Sequence, residues 1–300
     1  MTLGLALLAG VWATHYWAMG DVVRAVAGVA VLLGGHAWVL AVEFMLLRQF
    51  GHGDPTPRAT LLQLFRAWCG EVSAIPLIFC WRQPFRSRRW PDLLPSNAQG
   101  RRGLLLVHGY VCNRGIWNRW LQRLTTQGVP FVAVDLEPVF GDIDDYIPII
   151  ESAVRRLEQC TGLPPVAVAH SMGGLAMRCW WDAQGAAQSG SGACARLHRL
   201  ITIGTPHRGT WLARLAFTRN ARQMRNHSGW LQALAQREPA DRAARVSCFY
   251  SHCDNIVFPA RAATLDGADN RHIEGVAHAH MLDRPDPYDE VRRWLRVERA

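Results

Sequence analysis

Beyond Gly103 the chain alternates short apolar runs with helical stretches, and this alternation constrains the fold more than any other feature. Apolar runs that we interpret as strands occupy residues 104–107, 131–134, 166–169, 200–203 and 246–250, with a weaker one at 271–274. Stretches with apolar residues three or four positions apart separate them, and the last helical stretch covers about 288–297. Strands that alternate with helices predict an α/β fold, in which helices cover both faces of a mostly parallel sheet.

The chemically distinctive residues follow the predicted strands. In chain order they are His108 with Gly109, Ser171, the block GTPHRGT at 204–210, Asp254 and His278. Functional groups in parallel sheets collect at the carboxyl ends of the strands. We therefore expect these residues to meet at one edge of the sheet.

The segment AHSMGG at 169–174 directly follows a predicted strand. The small residues Ala169, Gly173 and Gly174 permit a tight strand-to-helix turn. Such a turn can serve packing alone, or it can present the Ser171 hydroxyl as a nucleophile. The pattern is too short to decide between the two, so the assignment depends on the other blocks.

Five blocks together resemble the α/β-hydrolase fold, and within it bacterial triacylglycerol lipases and related esterases. They are VHGY (107–110), AHSMGG (169–174), GTPHRGT (204–210), SHCDNIVFP (251–259) and GVAHAHML (275–282). The resemblance covers about residues 103–299, and the order Ser, Asp, His along the chain is the order of that fold. The sequence departs from the family at Ala169, where glycine is usual.

The resemblance implies a hydrolase of carboxylic esters that works through an acyl-enzyme intermediate, and acyl or lipid esters are the expected substrates. Ser171 is the expected nucleophile, His278 the expected base, and Asp254 the expected partner of the imidazole. The backbone N–H groups of Tyr110 and Met172 are the expected oxyanion donors. Support for this site is expected from four motif residues: His108, Gly109, His170 and Gly173.

Alternatives to two of these assignments stay open on the residues alone. His280 competes with His278 for the role of base, although the spacing in GVAH favours His278. Asp254 is favoured over other acids because it follows a predicted strand so closely. Those other acids are Asp142, Asp144, Asp145, Asp266 and Asp269. The remaining histidines at strand ends are expected to brace loops: His108, His170 and His207.

Composition argues against a metal, a cofactor and a nucleic-acid partner. The eight cysteines show no C-x-x-C pair and no metal-binding spacing, so we expect free thiols and neither metal nor cofactor. The net charge is +9, and all 33 basic residues are arginine. These arginines are scattered and form no nucleic-acid motif. Attraction to anionic lipid headgroups is the better explanation of the positive charge.

The first 47 residues are unusually apolar. No Asp, Glu, Lys or Arg occurs from Thr2 to Gly20, and after Asp21 and Arg24 the stretch 25–42 again has none. Each run is long enough to cross a hydrocarbon core of about 30 Å. We predict a transmembrane hairpin over residues 1–47 that turns near Gly20 and Asp21. A cleaved signal peptide is not expected, because no basic residue precedes Arg24. A buried helix pair is the alternative.

The rest of the chain divides into a linker and a catalytic region. Residues 48–102 are predicted to be an amphipathic and linker region, in which 61–75 carries one apolar stripe for the membrane interface or for the catalytic domain. Residues 103–300 are the predicted catalytic domain. The arginines that follow the second span place this domain in the cytoplasm by the positive-inside tendency. Resemblance to the leaders of membrane-anchored proteobacterial hydrolases implies the bacterial inner membrane.

Several functional questions stay open in the sequence. Residues 211–244 are either a lid or acyl-binding wall, or ordinary surface helices. An ester or lipid is the expected substrate. The alternatives are an acyltransferase or thioesterase with the same triad, or a non-catalytic membrane scaffold. Deleting residues 1–47 is expected to leave a soluble, active enzyme.

Overall fold

A computed structural model of the chain describes residues 2–51, 56–187 and 196–296. Cys194, one of the predicted free thiols, lies outside these ranges. The centre of the molecule is a six-stranded sheet in the order β2-β1-β3-β4-β5-β6, and every neighbouring pair is parallel. Its strands are β1 Leu104–Val107, β2 Phe131–Ala133, β3 Val166–His170, β4 Arg199–Ile203, β5 Val246–Tyr250 and β6 Asp269–His272.

The first five strands lie within one residue of their predicted ends, and β6 begins two residues before its prediction. Continuous apolar sequence explains the agreement, because strands covered on both faces are apolar at every position. All residues of β1 and β3 are buried, with Leu106 paired to Val168. The sequence of β6 is Asp-Asn-Arg-His, and it is only partly buried at the sheet edge. A polar edge strand gives a weak sequence pattern, which accounts for the shift.

Helices precede and surround the sheet. The α-helices are α1 Thr2–Ala18, α2 Val22–Phe50, α3 Leu61–Ile75, α4 Gln83–Arg86, α5 Asn118–Thr126, α6 Ile147–Thr161, α7 Met172–Ala187, α8 Arg219–Gln223, α9 Gly229–Arg237 and α10 Pro285–Leu295. A π-helical segment, Pro76–Arg82, joins α3 to α4. The 3-10 turns are Arg114–Trp117, Ile143–Tyr146, Trp211–Leu215, Ala240–Arg245, Ala260–Ala263 and His280–Asp283.

Two apolar cores lie on the two faces of the sheet. Leu105 and Val107 of β1 belong to the core that contains α6 and α7, in which Trp180 is fully buried. Their neighbours Leu104 and Leu106 belong to the core that contains α5 and α10. Side chains of a strand alternate between the two faces, so one apolar run serves both cores. The predicted α/β-hydrolase architecture is confirmed.

The N-terminal helices α1 and α2 form a hairpin whose turn lies where the sequence predicts it. Asp21 caps α2 by accepting a hydrogen bond from the backbone N–H of Arg24 at 3.0 Å. The indole of Trp12 donates to the Arg24 carbonyl at 2.9 Å. That indole occupies the space that a side chain at Gly28 would need, with Nε1 only 1.8 Å from an added Cβ. The absent side chain of Gly28 lets the two helices approach closely.

Within the part of the chain that the structure describes, two helical stretches are long and apolar enough to cross a membrane, judged by length and composition. They are Val22–Phe50 and the continuous helical stretch Leu61–Arg86. The first contains the second predicted span. Helix α1, the first predicted span, has 17 residues. On α2, Val23 and Trp38 expose 79% and 74% of their surface, which is unusual for large apolar side chains next to water.

The C-terminal part of α2 and the first turns of α3 pack on the sheet domain. A buried apolar cluster joins Phe44, Leu47 and Leu64 to Phe258 and Ala277. These contacts cross the predicted boundary at residue 47, which stays a prediction. The sequence analysis predicts that deletion of residues 1–47 leaves a soluble, active enzyme. These contacts argue against a harmless deletion, because it would expose the apolar residues that Phe44 and Leu47 cover.

Candidate active site

Ser171 occupies a strained turn between β3 and α7. Its φ is 54°, in the left-handed region that a residue with a side chain seldom adopts. An added Cβ at Gly173 would lie 2.4 Å from the His108 carbonyl oxygen, and one at Gly174 would lie 2.2 Å from the Thr205 Oγ1. The close approach of neighbouring loops therefore requires glycine at both positions. The methyl of Ala169 packs in the core beneath the turn, so the departure from the family pattern is accommodated.

The backbone around Ser171 is fixed by the loops after β1 and β4. Ser171 N–H donates to the Ile203 carbonyl at 2.9 Å, and the Thr205 hydroxyl donates to the Ser171 carbonyl at 2.8 Å. Gly109 lies directly against the serine, because a Cβ added there would lie 2.7 Å from Ser171 Cβ. Ser171 is 7% exposed, so its side chain is largely sheltered.

Asp254 and His278 form a buried hydrogen-bonded pair. His278 Nδ1 lies 3.0 Å from Asp254 Oδ1 and 2.9 Å from Oδ2. The same carboxylate accepts hydrogen bonds from the N–H groups of Ile256 and Val257 at 2.9 and 2.8 Å. These bonds fix the carboxylate, and the carboxylate in turn fixes the imidazole with Nδ1 as the donor and Nε2 directed away from Asp254.

Two contacts bring His278 to the serine turn. Gly204 follows Ile203, the acceptor of the Ser171 N–H, and a Cβ added at Gly204 would lie 3.0 Å from the His278 ring. The ring of His170, the residue before Ser171, packs against the His278 ring with centroids 4.6 Å apart. The structure thus gathers Ser171, Asp254 and His278 at the carboxyl edge of the sheet.

The charges around His278 favour its protonated form. Burial alone would lower the pKa of this imidazole, but the Asp254 carboxylate, with smaller contributions from Glu71 and Glu43, raises it above the ordinary 6.5. The neighbouring His170 behaves in the opposite way. Burial, and then the charge of His278, hold the pKa of His170 well below its ordinary value. A proton at this site therefore resides on His278.

The other motif histidines hold loops together. His108 lies between the Gly109 carbonyl, 2.9 Å from Nδ1, and the Leu136 N–H, which donates to Nε2 at 2.9 Å. These two partners define a neutral ring that links the loops after β1 and β2. His207 Nε2 lies 3.0 Å from the hydroxyl oxygen of Thr202, and its ring is buried. Both arrangements match the expected bracing role.

The rival residues lie in other environments. His280 is half-buried with its imidazole against Gly70, on the side of the turn that faces α3. Asp266 has a side chain that is 94% exposed and pairs with Arg208. Asp269 pairs with Arg271. These contacts favour Asp254 and His278 in the proposed roles.

The expected oxyanion donors flank the serine. Met172 is the first residue of α7, and the first N–H groups of a helix have no acceptor inside that helix. Tyr110 follows Gly109, which lies against Ser171. The hydroxyl of Tyr110 lies 3.0 Å from that of Thr218, so the loop after β1 is tied to the segment after β4.

The segment 211–244 consists of short helices beside this edge of the sheet. Trp211 stacks on Phe50 of α2 with ring centroids 4.0 Å apart. Leu215 and Phe217 are 58% and 79% exposed, whereas Leu234 is buried. The segment therefore buries one face and presents an apolar surface near Tyr110.

Sequence reasoning missed three residues that support the histidine loop: Asn255 and Glu71 bond to it directly, and Glu43 acts through Asn255. Glu43 accepts a hydrogen bond from Asn255 Nδ2 at 2.6 Å, and Asn255 Oδ1 accepts the His278 N–H at 3.2 Å. Glu71 accepts the N–H groups of Ala279 and His280. Glu43 and Glu71 are isolated acids in otherwise apolar helical patterns, and this isolation is the sequence feature by which they could have been identified. Within residues 2–51, 56–187 and 196–296, no group of three or more metal-ligating side chains occurs.

A parallel sheet with a strained serine turn and a buried Asp–His pair at its carboxyl edge defines the class of α/β hydrolases. A model of the alpha/beta hydrolase family matches residues 104–294. The chain therefore belongs to the alpha/beta hydrolase family, and the predicted family is confirmed. No curated protein matches the chain significantly.

Solved structures agree with this fold. The mature form of lipase BlEst2 from Bacillus licheniformis is 17% identical, with a TM-score of 0.57, and the match covers 68% of this chain and 96% of that one. Lipase B from Aspergillus fumigatus is 16% identical, with a TM-score of 0.51, over 65% of this chain and 53% of that one. At such identity the likeness shows the fold alone.

Proposed function

We propose that the protein is a membrane-anchored serine hydrolase that cleaves carboxylic esters, with acyl or lipid esters as substrates. The observation that carries this proposal is the buried pair of Asp254 and His278 packed against the strained turn of Ser171. A carboxylate that orients an imidazole next to a serine is the arrangement that activates the serine hydroxyl.

The residues at the edge of the sheet support a two-stage reaction. Ser171 Oγ attacks the ester carbonyl carbon while His278 Nε2 takes the hydroxyl proton. The imidazolium then donates that proton to the departing alcohol, and the acyl-enzyme ester remains on Ser171. Water attacks this ester, His278 takes a proton from the water, and the serine regains its proton as the carboxylic acid leaves. Asp254 stabilises the imidazolium in both stages.

The negative oxygen that forms at each attack needs hydrogen-bond donors. Our assignment uses the N–H groups of Met172 and Tyr110, because Met172 begins α7 and Tyr110 follows the glycine in contact with Ser171. Each such donor contributes about 3 kcal/mol to lowering the barrier.

The surroundings of the site favour an apolar acyl group. Exposed apolar side chains lie close to Tyr110: Val111 follows it, the Phe140 ring centroid is 6.0 Å from its ring, and Phe217 precedes Thr218, whose hydroxyl lies 3.0 Å from that of Tyr110. Both similar solved structures are named lipases, which is consistent with this substrate class. We place the protein in the bacterial inner membrane, anchored by α1 and α2, with the sheet domain in the cytoplasm. Helix α3 lies outside this anchor, because it packs on the sheet domain and buries Glu71 there.

A fluorophosphonate probe on membranes that carry the full chain tests the proposal. Label is expected on Ser171, and Ser171→Ala is expected to lose both the label and the turnover of p-nitrophenyl esters by a factor of about 10³ or more. A matched variant, Ser73→Ala, removes a hydroxyl that donates to the Cys69 carbonyl within α3, and it should keep full activity. Turnover by Ser171→Ala at the wild-type rate would remove the proposal.

A chain-length series of esters then narrows the substrate class. Faster turnover of longer acyl chains supports an acyl ester. Acyl transfer to an added alcohol in preference to water would instead identify an acyltransferase, and preference for thioesters a thioesterase. A chain that folds and takes no label would be a non-catalytic scaffold.

A further inference from the structure

The turn that carries His278 is held from the side of the N-terminal helices by two carboxylates, the buried Glu71 and the partly buried Glu43. Glu71 of α3 is 1% exposed, although a carboxylate away from water is costly without hydrogen-bond donors. Its Oε1 accepts the Ala279 N–H at 3.0 Å, and its Oε2 accepts the His280 N–H at 3.1 Å. One side chain thus binds two consecutive N–H groups directly after His278.

The second carboxylate acts from α2 through an asparagine. Glu43 Oε2 accepts from Asn255 Nδ2 at 2.6 Å, and Asn255 Oδ1 accepts the His278 N–H at 3.2 Å. Asn255 is fully buried and directly follows Asp254. This chain of hydrogen bonds joins α2 to the backbone of His278 and to the loop that supplies its carboxylate partner.

Together the two contacts hold three successive N–H groups, those of residues 278, 279 and 280. The sheet domain supplies the contact to the imidazole itself, through Asp254. The N-terminal helices hold the backbone from which that imidazole projects, Glu71 directly and Glu43 through Asn255. Apolar packing of Phe44 and Ala67 against Ala277 supports the same turn.

We propose that Glu71 and Glu43 are positioning residues, through which the N-terminal helices hold the His278 turn in the orientation required for proton transfer. The inference rests on the proposed function of His278 as the base. It assigns the N-terminal helices a part in the chemistry besides membrane attachment. The active site is then complete only when α2 and α3 are docked.

The charges around His278 give the proposal a readout that altered packing would not change. The imidazole bonds to Asp254, the charges of Glu71 and Glu43 also favour its protonated form, and the neutral ring of His170 packs against it with centroids 4.6 Å apart. Removing a carboxylate makes the imidazolium less stable. Burial, partly offset by the two N–H donors, raises the pKa of Glu71 to about 7, so assays at pH 8.5 compare forms with Glu71 ionised.

The experiment measures kcat per active site for the full chain in detergent micelles, with sites counted by fluorophosphonate titration. Glu71→Gln is expected to lower kcat about tenfold at pH 8.5 with little change in KM, because a displaced base slows the reaction of bound substrate. Its acid limb of kcat/KM is expected at lower pH than in the wild type. Glu43→Gln retains an acceptor oxygen for Asn255, so its loss of kcat should be smaller, with the same direction of pH shift.

The control is Gln63→Ala on the same helix. Gln63 accepts the Thr60 N–H at the start of α3 and donates to Glu274, an acid four residues before His278. This variant should keep the wild-type kcat and acid limb, even if its unfolding temperature falls. Should Glu71→Gln fold poorly, titration still counts its active sites, and Glu43→Gln provides the same test.

The outcomes separate this inference from the proposed function. Glutamine variants with the wild-type kcat per site and an unmoved acid limb would overturn it. So would variants that lose only thermal stability. A wild-type chain that takes no label at Ser171 would instead remove the proposed function, and with it the role of His278.

Discussion

The sheet domain and the N-terminal helices place their apolar and ionic side chains in opposite ways. The sheet domain buries its large apolar residues, among them Trp117, Trp120 and Trp180, at 0–2% exposure. The N-terminal helices expose theirs, with Trp17 and Trp38 at 65% and 74%. Their few acids do the reverse, because Glu43 and Glu71 turn inward to the sheet domain.

In the N-terminal helices, unlike the sheet domain, the informative side chains are the apolar ones that are exposed and the acids that turn inward. An apolar surface of this extent on helices fits a lipid or protein environment better than water. The acids that these helices turn inward need fixed donors, and the donors belong to the loops of Asp254 and His278. The N-terminal helices therefore have two distinct faces, an apolar one that is exposed and one that turns Glu43 and Glu71 toward the loops of Asp254 and His278.

The largest effect is expected in the sheet domain, at Asp254. Asp254→Asn keeps the shape of the side chain but favours the wrong imidazole tautomer, so kcat should fall about 10⁴-fold. Steady-state ester hydrolysis measures this, with Asp266→Asn as the control because that side chain is 94% exposed. A drop of only a few fold would mean that Asp254 is not the partner of the base.

The two faces of α2 give the second prediction. Phe44, 6% exposed, packs on Phe258 and Ala277, so Phe44→Ala should reduce the free energy of unfolding by about 3 kcal/mol. Trp38→Ala on the outward face should change it by about 0.5 kcal/mol or less in detergent. Denaturant unfolding of the full chain in micelles measures both. Equal losses for the two variants would contradict the separation of faces.

The third prediction compares one glycine from the sheet domain with one from α2, and its expected effect is smaller. Gly173→Ala would place a Cβ 2.4 Å from the His108 carbonyl oxygen, so it should destabilise the fold by about 1–3 kcal/mol and reduce activity. Gly34→Ala in α2 meets no atom within 4 Å. It should leave activity unchanged and stability within about 1 kcal/mol. Thermal unfolding and ester hydrolysis of both variants provide the measurement, and a tolerated Gly173→Ala would show that the turn can relax.

Much of the sheet domain could be predicted from the sequence, because its strands are continuous apolar runs and its motifs stand at their ends. Leu104–Val107 and Val166–His170 lie almost where the pattern places them. The meeting of Ser171 with the Asp254–His278 pair was also expected, since parallel strands bring their carboxyl ends together. The edge strand Asp269–His272 was placed less well, because polar residues weaken its pattern.

The contacts of the N-terminal helices could not be predicted in the same way. Periodicity shows that Leu61–Ile75 has an apolar stripe, but it does not say which surface that stripe covers. Glu71 lies 208 positions from Ala279 in sequence, and no local rule connects two such residues. Glu43 lies near the end of a predicted membrane span, where an acid needs no protein partner, whereas the structure pairs it with Asn255. The partners of Glu43 and Glu71 are set by how the N-terminal helices pack on loops that are distant in the sequence.

The smallest predicted effect concerns pH and tests the electrostatic link between the two regions. Only the neutral imidazole of His278 can accept the serine proton, so kcat/KM should fall as pH decreases through the pKa of His278. Burial opposes this protonation, but the carboxylates of Asp254, Glu71 and Glu43 together raise the pKa above 6.5. The midpoint of the acid limb is therefore expected above pH 6.5, and a pH series of ester hydrolysis locates it. A midpoint below 6.5 would mean that burial outweighs the carboxylates, and that the charges from α2 and α3 do not reach the base.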